Sequence, residues 1–317
     1  MTQYIIRRLL LMVPTIFLVT LILFVLLRLT PGDPVREQYG VDLTPELYQA
    51  RKHQLGLDRS IPVQYVKWLT GLVHLDFGKS TRTHEPAKTV IFERFPATLE
   101  LAGLAFVLGL AISIVLGTAA AVYNRTLLGP SVTVFGLAAV STPGFFFATL
   151  LVYFVTFKWR LMPSPRYIPF STDPIANLKF ILLPVIALSH GAVGGPTRII
   201  RSNVLEALTQ DYIRTARSKG LGDFIVVVRH GLRNALLPSV TLIGLTVATL
   251  WEGAFIIEQI FNWPGVGRLG LTALRGKDYP VVQAIVLMAA LSFSFSNLLV
   301  DVLYAKLDPR ISYVGKR

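Results

Sequence analysis

Long apolar stretches, separated by short basic or turn-forming segments, dominate this chain. A helix that crosses the hydrocarbon core needs about 20 apolar residues. Stretches 9–29, 99–123, 131–157, 180–196, 235–257 and 281–304 reach or approach that length. The pattern predicts an all-α polytopic membrane protein with about six transmembrane helices, folded as one transmembrane domain over residues 1–317. The first stretch follows Arg7 and Arg8, so a secretory signal has to be weighed. Its apolar run exceeds the roughly 7–15 residues of a signal core and no A-x-A site follows, so it is expected to remain as an anchor. The fourth stretch carries Pro184, His190, Gly194, Gly195 and Pro196. Such interruptions are tolerated where neighbouring helices satisfy the freed backbone groups.

Two segments between these stretches are too organised to be simple connectors. Segment 30–98 opens with Pro31-Gly32-Asp33-Pro34, a stop to the first helix. It continues through Leu43–Leu55 and Ile61–Val73, which read as two short amphipathic helices. Segment 198–234 reads as two helices around a glycine hinge. Asn203 and Glu206 have capping-box spacing, Gly220 suits a left-handed helix stop, and Asp223 is placed to cap the next helix. Upstream of the hinge, Leu205, Leu208, Tyr212 and Ala216 fall at helical spacing and form one apolar stripe.

Charge fixes the expected orientation. The chain carries 31 Lys and Arg against 18 Asp and Glu, and only 15% of its residues are charged, where a soluble domain carries about 25%. The basic residues lie between the apolar stretches, which points to membrane topology and away from nucleic acid. With both termini inside, the inner segments hold fourteen basic residues and the two short outer loops seven. An N-in, C-in arrangement follows, with 30–98 as a large external subdomain and 198–234 in the cytoplasm.

Catalytic patterns do not fit this frame. Gly265-Val266-Gly267-Arg268-Leu269-Gly270 matches the dinucleotide fingerprint by letter. That chemistry needs a preceding strand and a βαβ unit, and here an outer loop of a helical protein precedes it. Gly78-Lys79-Ser80 resembles the end of a P-loop, but the first glycine would be residue 73, which is Val73. No cysteine is present, and neither His190 nor His230 sits in H-E-x-x-H, so an intramembrane enzyme is disfavoured. The polar groups within or bordering the apolar stretches are Arg28, Glu100, His190, Glu252, Asn297 and Asp301. Arg28, Glu100 and Asp301 sit near ends and can reach the interface. Glu252 and Asn297 lie deeper, either as hydrogen-bonding glue between helices or as lining of a polar pathway.

The segment Asp211-Tyr212-Ile213-Arg214-Thr215-Ala216-Arg217-Ser218-Lys219-Gly220-Leu221, with Arg229-His230-Gly231-Leu232-Arg233-Asn234-Ala235-Leu236-Leu237-Pro238 downstream, resembles the signature loop of inner-membrane permease subunits of bacterial ABC importers. The likeness is to the dipeptide, oligopeptide and nickel branch. Further matches run in order along the chain: Ile5–Leu9, Pro31–Pro34, Leu55–Asp58, Ala97–Leu101, Ile260–Gly267, Asp278–Gln283 and Asp308–Arg310. The gap from Gly220 to Pro238 is longer than in general importers, as in the peptide branch. The outer loop 158–179 is short, so substrate contacts are not carried over to it.

This resemblance implies a permease that forms a translocation pathway with a second, homologous permease. Two ABC ATPase subunits would bind its cytoplasmic face, and an external substrate-binding protein would deliver di- or oligopeptides or a related solute. ATP and Mg would be bound by the ATPases, leaving no cofactor or metal in this chain. Segment 205–222 would be the coupling helix, with Asp211, Tyr212, Arg214, Thr215, Ala216, Lys219, Gly220 and Leu221 at the ATPase groove. Trp263, Pro264, Gly265 and Gly267 would contribute to an external gate or docking surface. A stand-alone secondary transporter or channel is the alternative.

Overall fold

The computed structural model describes residues 2–29, 33–39, 43–162 and 166–307. The turn expected at Pro31-Gly32 and the match at Asp308–Arg310 lie outside these residues. Thirteen α-helices are seen among the described residues: α1 Thr2–Leu29, α2 Pro34–Tyr39, α3 Pro45–Gln54, α4 Ile61–Val73, α5 Ala87–Val122, α6 Leu128–Ser141, α7 Gly144–Leu151, α8 Pro174–Leu208, α9 Asp211–Ser218, α10 Asp223–Ile225, α11 Arg233–Ile260, α12 Val266–Arg275 and α13 Tyr279–Leu307. π-helical turns at Val152–Lys158 and Val226–Leu232 extend α7 and lead into α11.

Local chemistry sets many of the boundaries. Asp173 caps α8 by accepting from the Ala176 N–H at 3.0 Å, with Pro174 at the first helical position, where a missing N–H is harmless. Five helices stop by one device, in which two N–H groups beyond the cap reach back to the last free carbonyls. In α9 these bonds run from Gly220 N to Arg217 O at 2.9 Å and from Leu221 N to Ala216 O at 3.4 Å. The left-handed residue is Gly56 after α3, Leu75 after α4, Gly220 after α9, Asn262 after α11 and Lys277 after α12.

Four described helices are long and apolar enough to cross a membrane: Ile5–Leu29, Ala87–Val122, Pro174–Leu208 and Tyr279–Val300. Stretch 131–157 is not one straight helix. It is a pair, Leu128–Ser141 and Gly144–Lys158, bent by 100°, and it makes a fifth span if counted as one. The break falls at Thr142-Pro143, where proline disfavours helical geometry in the residue before it. Stretch 235–257 falls within α11, whose 28 residues span about 42 Å at 1.5 Å each.

The chain divides into two compact units. The first takes in the described residues within 1–6, 98–263 and 295–317, and α8 runs through it. Small residues let helices approach α8 closely, as in membrane interfaces generally. A Cβ on Gly194 would lie 2.7 Å from the Gly136 carbonyl oxygen, and one on Gly117 would lie 2.8 Å from that of Thr197. Ser113 Oγ donates to the Gly109 carbonyl at 2.8 Å within α5 and lies 3.1 Å from the Val193 carbonyl on α8. Towards the end of α8, Ile200, Val204 and Ala207 pack with Ala121 and Ala235.

The second unit comprises residues 7–97 and 264–294. Phe24 of α1 stacks on Trp68 of α4 at 5.7 Å and meets Tyr65 edge-on at 5.3 Å. Thr20 Oγ1 and the Tyr65 hydroxyl lie 3.0 Å apart in the same contact. The loop between α4 and α5 is pinned elsewhere: Ser80 Oγ donates to Asp278 Oδ2 at 2.5 Å and Thr81 N to Asp278 Oδ1 at 3.1 Å.

Candidate functional site

The segment following α8 is built to present a short helix rigidly. Ile213 and Ala216, three residues apart on α9, are buried against Val226 of the π-helical turn, with Leu208 packed alongside. The buried stripe therefore runs through Ile213, and the expected stripe through Tyr212 is corrected. Tyr212 is one position away and 39% exposed. Ala216 is corrected likewise: it lies beneath the helix against its own chain and is not offered to a partner. The packing here is close: at Gly231 an added Cβ would come within 3.1 Å of the Leu208 side chain.

The other seven residues assigned to this site, Asp211, Tyr212, Arg214, Thr215, Lys219, Gly220 and Leu221, are all exposed. Arg214 pairs with Asp211 at 3.6 Å and Arg217 with Asp223 at 3.4 Å. These pairs are open to solvent and contribute little stability. Gly220 adopts φ +78°, and a Cβ there would meet nothing within 4 Å. Its necessity is conformational, as glycine enters the left-handed region without the penalty other residues meet.

Two helix-start readings are corrected. Asn203 caps nothing, because α8 runs unbroken from Pro174 to Leu208. Its amide donates to Ser239 Oγ at 2.9 Å and to the Ala235 carbonyl at 3.3 Å, tying α8 to α11. Gly222 is the N-cap of α10, and Asp223 is its first helical residue. Sequence reasoning also missed the apolar residues just beyond the hinge. Phe224 is 79% exposed, and Ile225 and Val228 are exposed as well. An aromatic side chain directly after a cap, with no periodic partner, was the available signal.

The second assigned region is divided between the units. Trp263 ends the first unit fully buried, with Tyr167 edge-on at 4.8 Å. Its N–H reaches the Glu258 carbonyl at 2.8 Å in the cap of α11. The Glu258 carboxylate is fully buried and accepts from Thr98 Oγ1 at 2.6 Å. Burial pushes the Tyr167 phenol above its ordinary pKa, and the Glu100 charge adds to this. In the second unit Gly265 caps α12 and Gly267 is buried within it. Pro264 is half-buried. A helix precedes the glycine pattern where a nucleotide fold would have a strand. The Thr98–Glu258 and Ser80–Asp278 pairs were not anticipated, since each joins residues far apart in the chain.

Of the deep polar residues, Glu252 projects from the first unit, exposed, and Asn297 is half-buried. Neither side chain hydrogen-bonds within the described residues. A reading of Glu252 as glue inside this chain's own helices is therefore set aside.

Comparison with known proteins places this arrangement. Residues 113–313 match the family described as binding-protein-dependent transport system inner membrane component. Residues 1–102 match the N-terminal part of such a membrane component. The chain is 38% identical over 315 residues to a Brucella abortus protein named as a peptide transport system permease, covering 99% of this chain and 100% of that one. It is 37% identical over 337 residues to the dipeptide transport system permease protein DppB of Escherichia coli K12, covering 99% of each. A structure of the MetNI methionine ABC transporter in inward-facing conformations is similar in fold, with TM-score 0.57 at 15% identity. That match covers 70% of this chain and 97% of the other.

Proposed function

Starting from a chain that belongs to the binding-protein-dependent transport system inner membrane component family, we propose how this multi-pass bacterial inner-membrane protein, a permease subunit of an ABC importer, does its work. It forms the translocation pathway with a second, homologous permease and carries out no bond chemistry. Two ATPase subunits hold ATP and Mg, one of them engaging the exposed face of α9, and an external binding protein delivers the solute. The names of the full-length relatives favour di- or oligopeptides as that solute.

One observation carries the coupling assignment. The α9 helix is locked from below by Ile213 and Ala216 and ended by a left-handed glycine, while Tyr212 on the helix and Leu221 just beyond it are left uncovered. A helix held this way transmits a push without bending. The push passes through Leu208 into α8, whose 35 residues reach about 52 Å. ATP-driven closure of the ATPases then shifts the pathway between two discrete states by rocking packed helices. Energy enters only as a difference in the stability of those states.

Glu252 supports the pathway reading. A carboxylate facing lipid at the centre of a helix costs about 2.5–3.5 kcal/mol. An exposed glutamate in α11 is therefore better accounted for by a polar passage or by the second permease.

The test uses substitutions on the exposed face. Thr215→Glu and Leu221→Asp should leave the chain inserted and folded, yet lower co-purification of the ATPases and solute uptake at least tenfold. Wild-type uptake in both variants would contradict the assignment. Ala216→Glu is a poorer probe, since it places a carboxylate in a buried contact and unseats α9.

A further inference from the structure

A cavity of about 390 Å³ opens within the second unit, between the end of α1, the helices α3 and α4, and the start of α13. Its size falls in the range of small-molecule sites, about 300–1,000 Å³. Among the described residues its charges are unbalanced. Arg28 is half-buried, with Phe24 against its guanidinium at 5.1 Å, and it has no carboxylate or hydrogen-bond partner among the described residues. Lys52 lines the same space and is equally unpartnered among the described residues.

Asp33, the one acid among the described residues that line the cavity, is already engaged. It accepts from the Tyr48 hydroxyl at 2.7 Å and from Val35 N at 3.0 Å, and Arg36 lies 3.8 Å away. Partial burial pushes its pKa up, but the Tyr48 and backbone hydrogen bonds outweigh that and hold the carboxyl below its ordinary value. It therefore stays ionised, one negative charge against the positive charges of Arg28, Lys52 and the neighbouring Arg36.

Gln64 and Tyr279 also line the cavity. The Tyr279 hydroxyl makes no hydrogen bond among the described residues and interacts electrostatically with Arg28. Gln64 Nε2 donates to the Arg59 carbonyl at 2.7 Å, and Gln64 Oε1 is closed off from the cavity. Buried cations and acceptors are normally satisfied, because leaving them bare is costly. Arg28, Lys52 and the Tyr279 hydroxyl call for an oxyanion.

We propose that this cavity binds a carboxylate or phosphate group. Two sources share that chemistry. One is a glycerol-phosphate lipid headgroup, since Arg28 lies one residue from the end of the membrane-crossing α1. The other is a small free solute such as a peptide.

The test takes the full-length chain, purified and stripped of lipid. Phosphatidylglycerol against phosphatidylcholine, followed by native mass spectrometry, probes the lipid source. L-alanyl-L-alanine and inorganic phosphate, followed by calorimetry, probe the free one. Saturable 1:1 binding is expected in at least one arm. It should weaken at least tenfold in Arg28→Gln with Lys52→Gln, and should largely return in Arg28→Lys. Should the double variant fail to fold, Lys52→Gln alone should weaken binding at least threefold. Phosphatidylglycerol alone identifies the lipid source, and the dipeptide or phosphate alone the solute source. No saturable binding of any probe, or binding that survives the substitutions within twofold, overturns the site. No ATPase enters this readout, so its failure is separate from failure of the α9 assignment.

Discussion

Gly220 shows what a single residue contributes here. Space does not explain it, since a side chain would meet nothing; the backbone conformation does. Gly220→Ala should destabilise the α9 cap by about 1–2 kcal/mol. Gly220→Asn should cost less, because asparagine tolerates the left-handed region better. Thermal unfolding and ATPase co-purification should rank glycine, asparagine and alanine in that order, and equal behaviour of the two variants would remove the conformational argument. Glu252 makes the opposite case, a side chain whose chemistry matters more than its fit. Glu252→Leu should insert at least as well as wild type, and uptake should fall severalfold; unchanged uptake would take it off the pathway. The left-handed stop was legible in the sequence because only glycine fits it cheaply. The orientation of Ala216 was not, since Tyr212 and Ile213 compete for the same face and only packing against Val226 decides between them.

At the scale of elements, local signals and tertiary contacts divide the explanation. Helix α4 spans Ile61–Val73, as its amphipathic pattern predicted, because its start and stop are both local. Helices α5 and α8 extend well beyond the apolar stretches that announced them. Hydropathy reports where lipid begins, and helical backbone continues through the interface. The bend at Thr142-Pro143 was hidden within an unbroken apolar run, although Pro143 itself marked it. The glycines that weakened the fourth stretch have distinct uses. Gly194 faces the backbone of α6, while a Cβ on Gly195 would touch nothing within 4 Å. Gly194→Ala should therefore push α6 from α8 and lower the unfolding temperature. Gly195→Ala should be neutral or stabilise by up to about 1 kcal/mol through helix propensity. Similar stability of the two variants would contradict the close contact.

For the molecule as a whole, the family, the membrane setting and the helical class were readable from ordered motifs and apolar stretches. The pairs that join distant segments, Ser80 with Asp278 and Thr98 with Glu258, were not, because a sequence gives no signal for which serine or threonine meets which carboxylate. The central claim concerns the complete assembly: this chain is a passage moved by others. Reconstitution into liposomes with a second permease, an external binding protein and labelled dipeptide tests it most directly. Uptake should require both ATPase subunits and hydrolysable ATP, and should vanish when either is withheld. Sustained uptake by the permeases alone, without any ATPase, would contradict the account.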